Sequence, residues 1–281
     1  MPAPSLSFEF FPPKTPEGAA KLRAAQTTLA TLAPAYFSVT FGAGGSTREG
    51  TYETVLEARV ATGVDTAPHL SCIASSKQEI AALLERYRTA GIRRLVALRG
   101  DMPSGTYGAG ELRHADELVR FIREATGAHF HIEVAAYPEV HPQAEDARTD
   151  LRHFIGKMRA GADGAITQYF YNPDAYFRFV DDCSAAGLQA PITPGIMPIT
   201  NFTQLARFSD ACGAEIPRWL RKRLAAFGDD TAALKAFGED VVTRLCERLL
   251  TGGAPGLHFY TLNGAQASLA ICRNLGLGAN P

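Results

Sequence analysis

Several features that would each announce a function are scarce or missing in this sequence. Of 281 residues one is tryptophan, Trp219, and five are cysteine. The cysteines (Cys72, Cys183, Cys212, Cys246 and Cys272) are odd in number and scattered, with no C-x-x-C pair. They suggest neither a disulfide framework nor a zinc site, and all five are expected as reduced, mostly buried thiols. Charge is balanced, with 28 basic against 29 acidic residues, whereas a nucleic-acid or anionic-membrane partner selects a basic surplus. No apolar run approaches the roughly 20 residues that cross a bilayer, and the first residues show neither a basic leader nor an h-region, so a cytoplasmic location is expected. No P-loop lysine motif and no G-x-S-x-G elbow occurs. No His, Asp and Glu cluster has metal-ligand spacing, so no metal is expected and hydrolysis by metal or serine is not indicated. A small-molecule partner is the reading left.

What is present is a regular alternation. Apolar runs of strand length fall at residues 6–11, 36–41, 66–72, 94–98, 130–137, 165–170, 192–197 and 257–262. Between them run segments of helical period, such as Ile80, Leu83, Leu84, Tyr87 and Leu118, Phe121, Ile122, Ala125, each backed by charge. Gly63, Gly91, Gly127, Gly161 and Gly187 stand where such helices should stop. Eight β-then-α units in one chain predict a (β/α)8 barrel spanning residues 1–281 as a single domain, with its last helix near 265–274. An extra helix is expected around 217–227, before the eighth strand. A Rossmann-type sheet is the alternative, but the cluster Gly42-Ala43-Gly44-Gly45 continues to Thr47 where the fingerprint needs glycine.

Active sites of such barrels are built at the C-terminal strand ends. There the sequence places Glu9, Thr40, His69, Asp101, Tyr137 with His141, Gln168 and Tyr260. Singly, any of these is as readily a satisfied core group as a functional one, but a core does not need so many polar groups converging on one end. Glu9 stands out, because it interrupts the apolar run Ser7-Phe8-Glu9-Phe10-Phe11 and a buried carboxylate is costly unless paired or neutralised. A mostly apolar setting would raise its pKa and suit it to donate a proton. Glycosidase chemistry fits poorly, since Glu9 and Asp101 sit on the first and fourth strands and stacking tryptophans are missing. A Schiff-base lyase using Lys157 is a rival, although Lys157 falls in the helical segment 146–160 and is better placed there to meet phosphate.

The segments SFEFFPPK (7–14), SVTFGAGG (38–45), APHLSC (67–72), ALRGD (97–101), VAAYPEVHP (134–142), ITQYFY (166–171), PGIMPITNF (194–202) and HFYTLN (258–263) resemble the methylenetetrahydrofolate reductase family in its bacterial, single-domain, flavin-dependent form. The resemblance implies a cytoplasmic oxidoreductase and flavoprotein, a TIM barrel of one-carbon metabolism and methionine biosynthesis. Such an enzyme passes hydride from NADH or NADPH through FAD to 5,10-methylenetetrahydrofolate in a ping-pong cycle, with no membrane or nucleic-acid partner, and forms homo-oligomers. It implies Glu9 as the acid that opens the folate ring and Asp101 as the charge that stabilises the cationic iminium and tunes the flavin. FAD-contacting positions would be Thr40, Phe41, Ala43, His69, Arg99, Gly100, Asp101, His114, Tyr137, His141, Ala144, Asp150, His153 and Lys157. Positions near folate or the nicotinamide would be Glu9, Asp101, Gln168, Gln204, Phe208 and Tyr260. The chain departs from the family pattern at His114, His153, Gly156 and Gly264, the last replacing an arginine that could contact folate's acidic tail. Those departures keep a third reading open, a folate-binding barrel that has lost its flavin.

Overall fold

The computed structural model describes residues 4–41, 45–73, 75–100 and 110–278, without the side chains of 45–47. Asp101 and Ala43, and with Ala43 the flanking Gly42 and Gly44, lie outside the described residues. Strands and helices alternate in the order β1 (Ser5–Phe10), α1 (Pro16–Ala30), β2 (Tyr36–Val39), α2 (Gly45–Thr62), β3 (Thr66–Ser71), α3 (Lys77–Thr89), β4 (Arg94–Leu98), α4 (Ala115–Thr126), β5 (His131–Ala136), α5 (Ala147–Arg159), β6 (Gly164–Thr167) and α6 (Pro173–Ala185). There follow β7 (Ile192–Thr193), β8 (Gly195–Ile196), α7 (Phe202–Cys212), α8 (Arg218–Ala225), α9 (Thr231–Thr251), β9 (Gly256–Tyr260) and α10 (Gln266–Asn274). All pairings are parallel, and the sheet runs β7-β6-β5-β4-β3-β2-β1-β9-β8. Because β7 and β8 are consecutive in the chain, the two ends of that order meet and the sheet closes into the expected (β/α)8 barrel.

Nine strands replace eight because the seventh is broken at Pro194. Proline has no N–H to give a neighbour, and the next amide, Gly195, donates to Thr167 Oγ1 at 2.9 Å instead of to the ladder. The strand therefore pairs with β6 before the break and with β9 after it. Gly195 is confined to glycine: a Cβ there would stand 2.1 Å from the Thr167 carbonyl oxygen and 2.7 Å from the Tyr260 ring.

Along each strand alternate residues face opposite sides. In β1, Leu6, Phe8 and Phe10 face the helices and are buried there, Phe8 stacking on Phe259 at 5.5 Å. Ser7 and Glu9 take the other side, the barrel interior. The helices cover the outer wall with the stripes their period requires: Ile80, Leu83, Leu84 and Tyr87 are buried on α3, as expected. On α4 the buried set is Leu118, Val119 and Ile122, and Ala125 is exposed. The five stop glycines all sit at positive φ.

One extra helix was expected before the last strand and two are found. The helix that packs between α6 and α10 in the outer ring is α9, whose 21 residues present Leu234, Val242, Leu245, Cys246 and Leu249 inward. Both α7 and α8 are thus additions, placed where the chain leaves the barrel mouth. Among the described residues no helix is long and apolar enough to cross a membrane.

Candidate active site

Glu9 lies at the C-terminal end of β1, in register with Ser38 on one side and Tyr260 on the other. Two imidazoles meet its carboxylate. His69 Nε2 is 3.3 Å and His258 Nε2 3.6 Å from Oε2, and the Glu9 side chain keeps 17% of its exposure. Neither nitrogen has an aligned hydrogen-bond partner among the described residues, nor does the hydroxyl of the neighbouring Ser38. Behind the site, Ser7 Oγ bonds His258 Nδ1 at 2.7 Å, which fixes the ring and links Glu9 to the barrel interior.

Here the structure corrects the sequence reading. Burial by itself would raise the Glu9 pKa, but the two imidazoles outweigh it and hold the carboxyl down to about 2. The setting is not mostly apolar: an inward glutamate meets inward histidines on β3 and β9, which the sequence places 60 and more positions away.

Tyr260 donates its hydroxyl to the Thr167 carbonyl at 2.7 Å, so it offers the mouth its ring rather than its phenol. Burial and then the Glu9 charge push its pKa well up. The segment after it ties the seam. Thr261 Oγ1 donates to the Glu9 carbonyl at 2.6 Å. Asn263, at φ 57°, clamps Phe11 by accepting from its N–H and donating to its carbonyl, each at 2.9 Å. Gln168 Oε1 accepts from the Tyr169 amide at 3.0 Å, and its own amide reaches the Ala136 carbonyl at 2.7 Å. Gln204 lies in the first turn of α7, capped by Asn201, with Phe208 one turn on.

The other predicted positions gather round the ends of β2, β4 and β5. Thr40 and Phe41 follow β2, the Thr40 carbonyl accepting from Thr51 Oγ1 at 2.9 Å and the Phe41 ring lying under Arg48. Arg99 Nη2 donates to Gln143 Oε1 at 2.7 Å, and its carbonyl accepts the Ser71 hydroxyl at 2.8 Å. Gly100 has φ 86°, and a Cβ there would stand 1.9 Å from Ser71 Oγ, so the backbone turns where no side chain fits. Tyr137 meets His141 edge-to-face at 4.5 Å. His141 donates its amide to Asp150 Oδ2 at 2.7 Å, and Ala144 closes the turn on the His141 carbonyl. Lys157 donates to the Ala135 carbonyl, and burial lowers its pKa to about 8 against the opposing pull of Asp150 and Asp116. That bond ties the amine of α5 to the end of β5. His114 and His153 are exposed, on the N-terminus of α4 and on α5, and no atom lies within 4 Å of where a Gly156 side chain would begin. His69, expected at the flavin, is an immediate neighbour of Glu9.

Sequence reasoning missed Ser7, His258, Thr261 and Asn263 as site residues. The signal was available for two of them: Ser7 and His258 each stand two places before a chosen residue, Glu9 and Tyr260, and so share its face.

A (β/α)8 barrel with one carboxylate between two imidazoles at the C-terminal ends of its strands is the class that fold and site define. Residues 2–276 match the family model described as methylenetetrahydrofolate reductase. The chain is 41% identical over 273 residues to the 5,10-methylenetetrahydrofolate reductase of Escherichia coli (strain K12), covering 97% of this chain and 91% of that one. It is 38% identical over 286 residues to methylenetetrahydrofolate reductase (NADH) 1 of Arabidopsis thaliana, covering 97% of this chain and 48% of that one. The chain belongs to the methylenetetrahydrofolate reductase family. A solved structure of an uncharacterized protein from Clostridium thermocellum, described as binding two copies of 5-methyl-5,6,7,8-tetrahydrofolic acid, superposes with TM-score 0.68 at 16% identity over 97% of this chain and 95% of that one, a likeness of fold.

Proposed function

We propose that this protein reduces 5,10-methylenetetrahydrofolate to 5-methyltetrahydrofolate in one-carbon metabolism, with a nicotinamide dinucleotide as hydride source and FAD as carrier. The observation that carries this reading is Glu9 held between His69 and His258 at the closing seam of the barrel. The reaction adds a hydride to the methylene carbon and a proton to the nitrogen that leaves it. The proton reaches that nitrogen at the mouth, and Glu9, which the two imidazoles at 3.3 and 3.6 Å hold ionised at rest, can take up a proton and pass it on. Glu9 relays the proton at Oε2, His69 and His258 flank the side from which it arrives, and Ser7 fixes the His258 ring. Asp101 keeps the role the resemblance implies, a charge beside the developing cation.

The residues present fit FAD. Arg99 and Lys157 supply cations and Tyr137 and His141 an aromatic pair beside the strand ends. When bound, the flavin supplies two-electron hydride chemistry between the nicotinamide and the folate. Thr40, Phe41, Ala43, Ala144, Asp150 and the exposed His114 and His153 complete the proposed cradle, and Gln168, Gln204, Phe208 and Tyr260 the folate side. A cytoplasmic, homo-oligomeric enzyme built as one barrel domain fits this reading.

A second reading has one observation in its favour. Burial lowers Lys157 to about 8, which is the direction a Schiff-base lysine needs. Against it, the Lys157 amine is spent on the Ala135 carbonyl. Purified protein that is yellow, absorbing near 450 nm, and that oxidises a nicotinamide only with methylenetetrahydrofolate present supports the first reading. Colourless protein that borohydride traps on Lys157 overturns it.

A further inference from the structure

We infer that Glu139 is a positioning residue for folate: its carboxylate clasps the segment after α7 to the β5–α5 loop, and so sets where α7 presents Gln204 and Phe208. The inference rests on the folate reading above. Its first support is the bond itself. Glu139 Oε2 accepts the Glu215 N–H at 2.8 Å and joins two segments 76 positions apart. The donor is a backbone amide between α7 and α8, the two helices added at the mouth. A carboxylate is costly to keep there, because burial raises the Glu139 pKa and the Glu215 amide pulls it only part of the way back.

Its second support is the backbone that aims this carboxylate. Val140 has φ 78°, in the left-handed region that a β-branched residue resists. Such strain persists only where the surroundings over-determine it. Here both neighbours of Val140 are tied, and to different elements. Glu139 is tied to the segment after α7, whereas His141 is tied through its amide to Asp150 of α5 at 2.7 Å. One loop thus carries Tyr137, His141 and Ala144 of the proposed flavin cradle together with the carboxylate that meets the folate-side helix.

The third support is the fit of the two halves. Gly213, at φ 76° after the last turn of α7, lies so close to the loop that a Cβ there would stand 2.6 Å from Pro142 Cγ. The cavity left among Val140, Tyr169 and Cys212 is about 10 Å³, room for one water at most. From α7 itself, Ser209 Oγ bonds the Tyr169 hydroxyl at 3.0 Å and Cys212 Sγ reaches it at 3.5 Å, next to Gln168. With the Glu139 tie released, α7 keeps those bonds at its C-terminal half and can pivot about them, which shifts Gln204 and Phe208.

A ligand that needs α7 in place binds with an apparent affinity scaled by the fraction of molecules whose clasp is closed. A hydrogen bond to a charged group shifts that closing equilibrium by about tenfold at the low end of its range. Flavin retention should not share the effect, since the His141 amide and Asp150 hold that side of the loop independently.

The test is equilibrium binding of 5-methyltetrahydrofolate to the purified, flavin-loaded protein, with flavin release on dialysis measured beside it. Glu139→Ala should weaken folate binding by up to about tenfold while flavin release stays at the rate of the intact protein. In turnover the same variant should raise the KM for methylenetetrahydrofolate and keep kcat, because saturating folate closes the clasp. Glu139→Gln keeps an oxygen for the Glu215 amide without the charge. It should recover the affinity to within about threefold, since a neutral acceptor makes roughly half as strong a bond. Glu145→Ala, which removes an exposed carboxylate of the same loop outside the clasp, should bind folate as the intact protein does. Unchanged folate affinity in Glu139→Ala, faster flavin release as its only effect, a glutamine variant no better than alanine, or an equal loss in Glu145→Ala overturns the clasp while leaving the folate reading standing. Failure of the intact, flavin-loaded protein to bind 5-methyltetrahydrofolate overturns the folate reading, and the clasp's role with it.

Discussion

Two glutamates point into the same barrel, and their surroundings are opposite. Glu133 lies toward the N-terminal end, accepting from Arg94 Nη1 at 2.8 Å and meeting His131 Nε2 at 3.0 Å, both aligned as hydrogen bonds. Arg94 also stacks over the Tyr36 ring at 4.4 Å, and Gly164 leaves room, since a Cβ there would meet Glu133 Oε2 at 2.5 Å. Glu9, at the C-terminal end, has two imidazoles within ion-pair reach and no aligned bond to either. A carboxylate with its bonds made is a strut, because moving it breaks them. A carboxylate with two imidazoles in reach and its bonds unmade can change partners without breaking one, as a proton relay requires.

The comparison breaks first at Glu9. Glu9→Gln keeps shape and removes the titrating proton, so folate reduction is expected to fall by roughly 10²- to 10⁴-fold. Reduction of the flavin by nicotinamide should persist, because that half needs no proton donor. Stopped-flow measurement of each half separates them, and equal loss in both would make Glu9 a strut like Glu133.

Glu133→Ala should act on stability instead. It leaves the Arg94 guanidinium unpaired with 24% of its side chain exposed, at a cost toward the lower end of about 3–5 kcal/mol, read as a shift in the urea midpoint. Activity per folded molecule should hardly change. Loss of activity without loss of stability would erase the distinction.

Acid sharpens it. The Glu9 pKa is depressed in the fold, so the stability it contributes is present above the unfolded value of 4.5 and is lost as pH falls toward about 2. That loss is of order 3 kcal/mol and should be missing from the acid titration of Glu9→Gln. The same titration slope in both proteins would show that the imidazoles do not hold the carboxylate down.

Lys157→Ala gives the smallest effect. With its amine shared with the Ala135 carbonyl, its removal should weaken FAD retention by about tenfold, the low end for a charge-assisted bond. Flavin released on dialysis reads this directly. No change in release would confine Lys157 to bracing β5 against α5.

Much of this was legible before folding. The eight strand runs and five glycine stops needed only period and turn chemistry, so the barrel and the mouth positions of Glu9, His69 and Tyr260 could be placed by counting. What counting could not supply was who meets whom. His258 was passed over although it shares a face with Tyr260, and the Glu9 pKa was assigned the wrong direction, because an apolar neighbourhood along β1 says nothing about the side chains that β3 and β9 bring across. The second added helix was hidden for a similar reason: α7 and α9 are both amphipathic, and only packing decides which of them closes the ring.

The sequence by itself determined the alternation of inward and outward residues, the stops of the helices and the family motifs, because each depends on neighbours a few residues away. Tertiary structure alone decided that Ser7, Glu9, His69 and His258 form one cluster and that Glu133 is tied and Glu9 is not. Those depend on closing the sheet, which brings together residues as far apart as 251 positions, and no local rule carries the geometry across that distance.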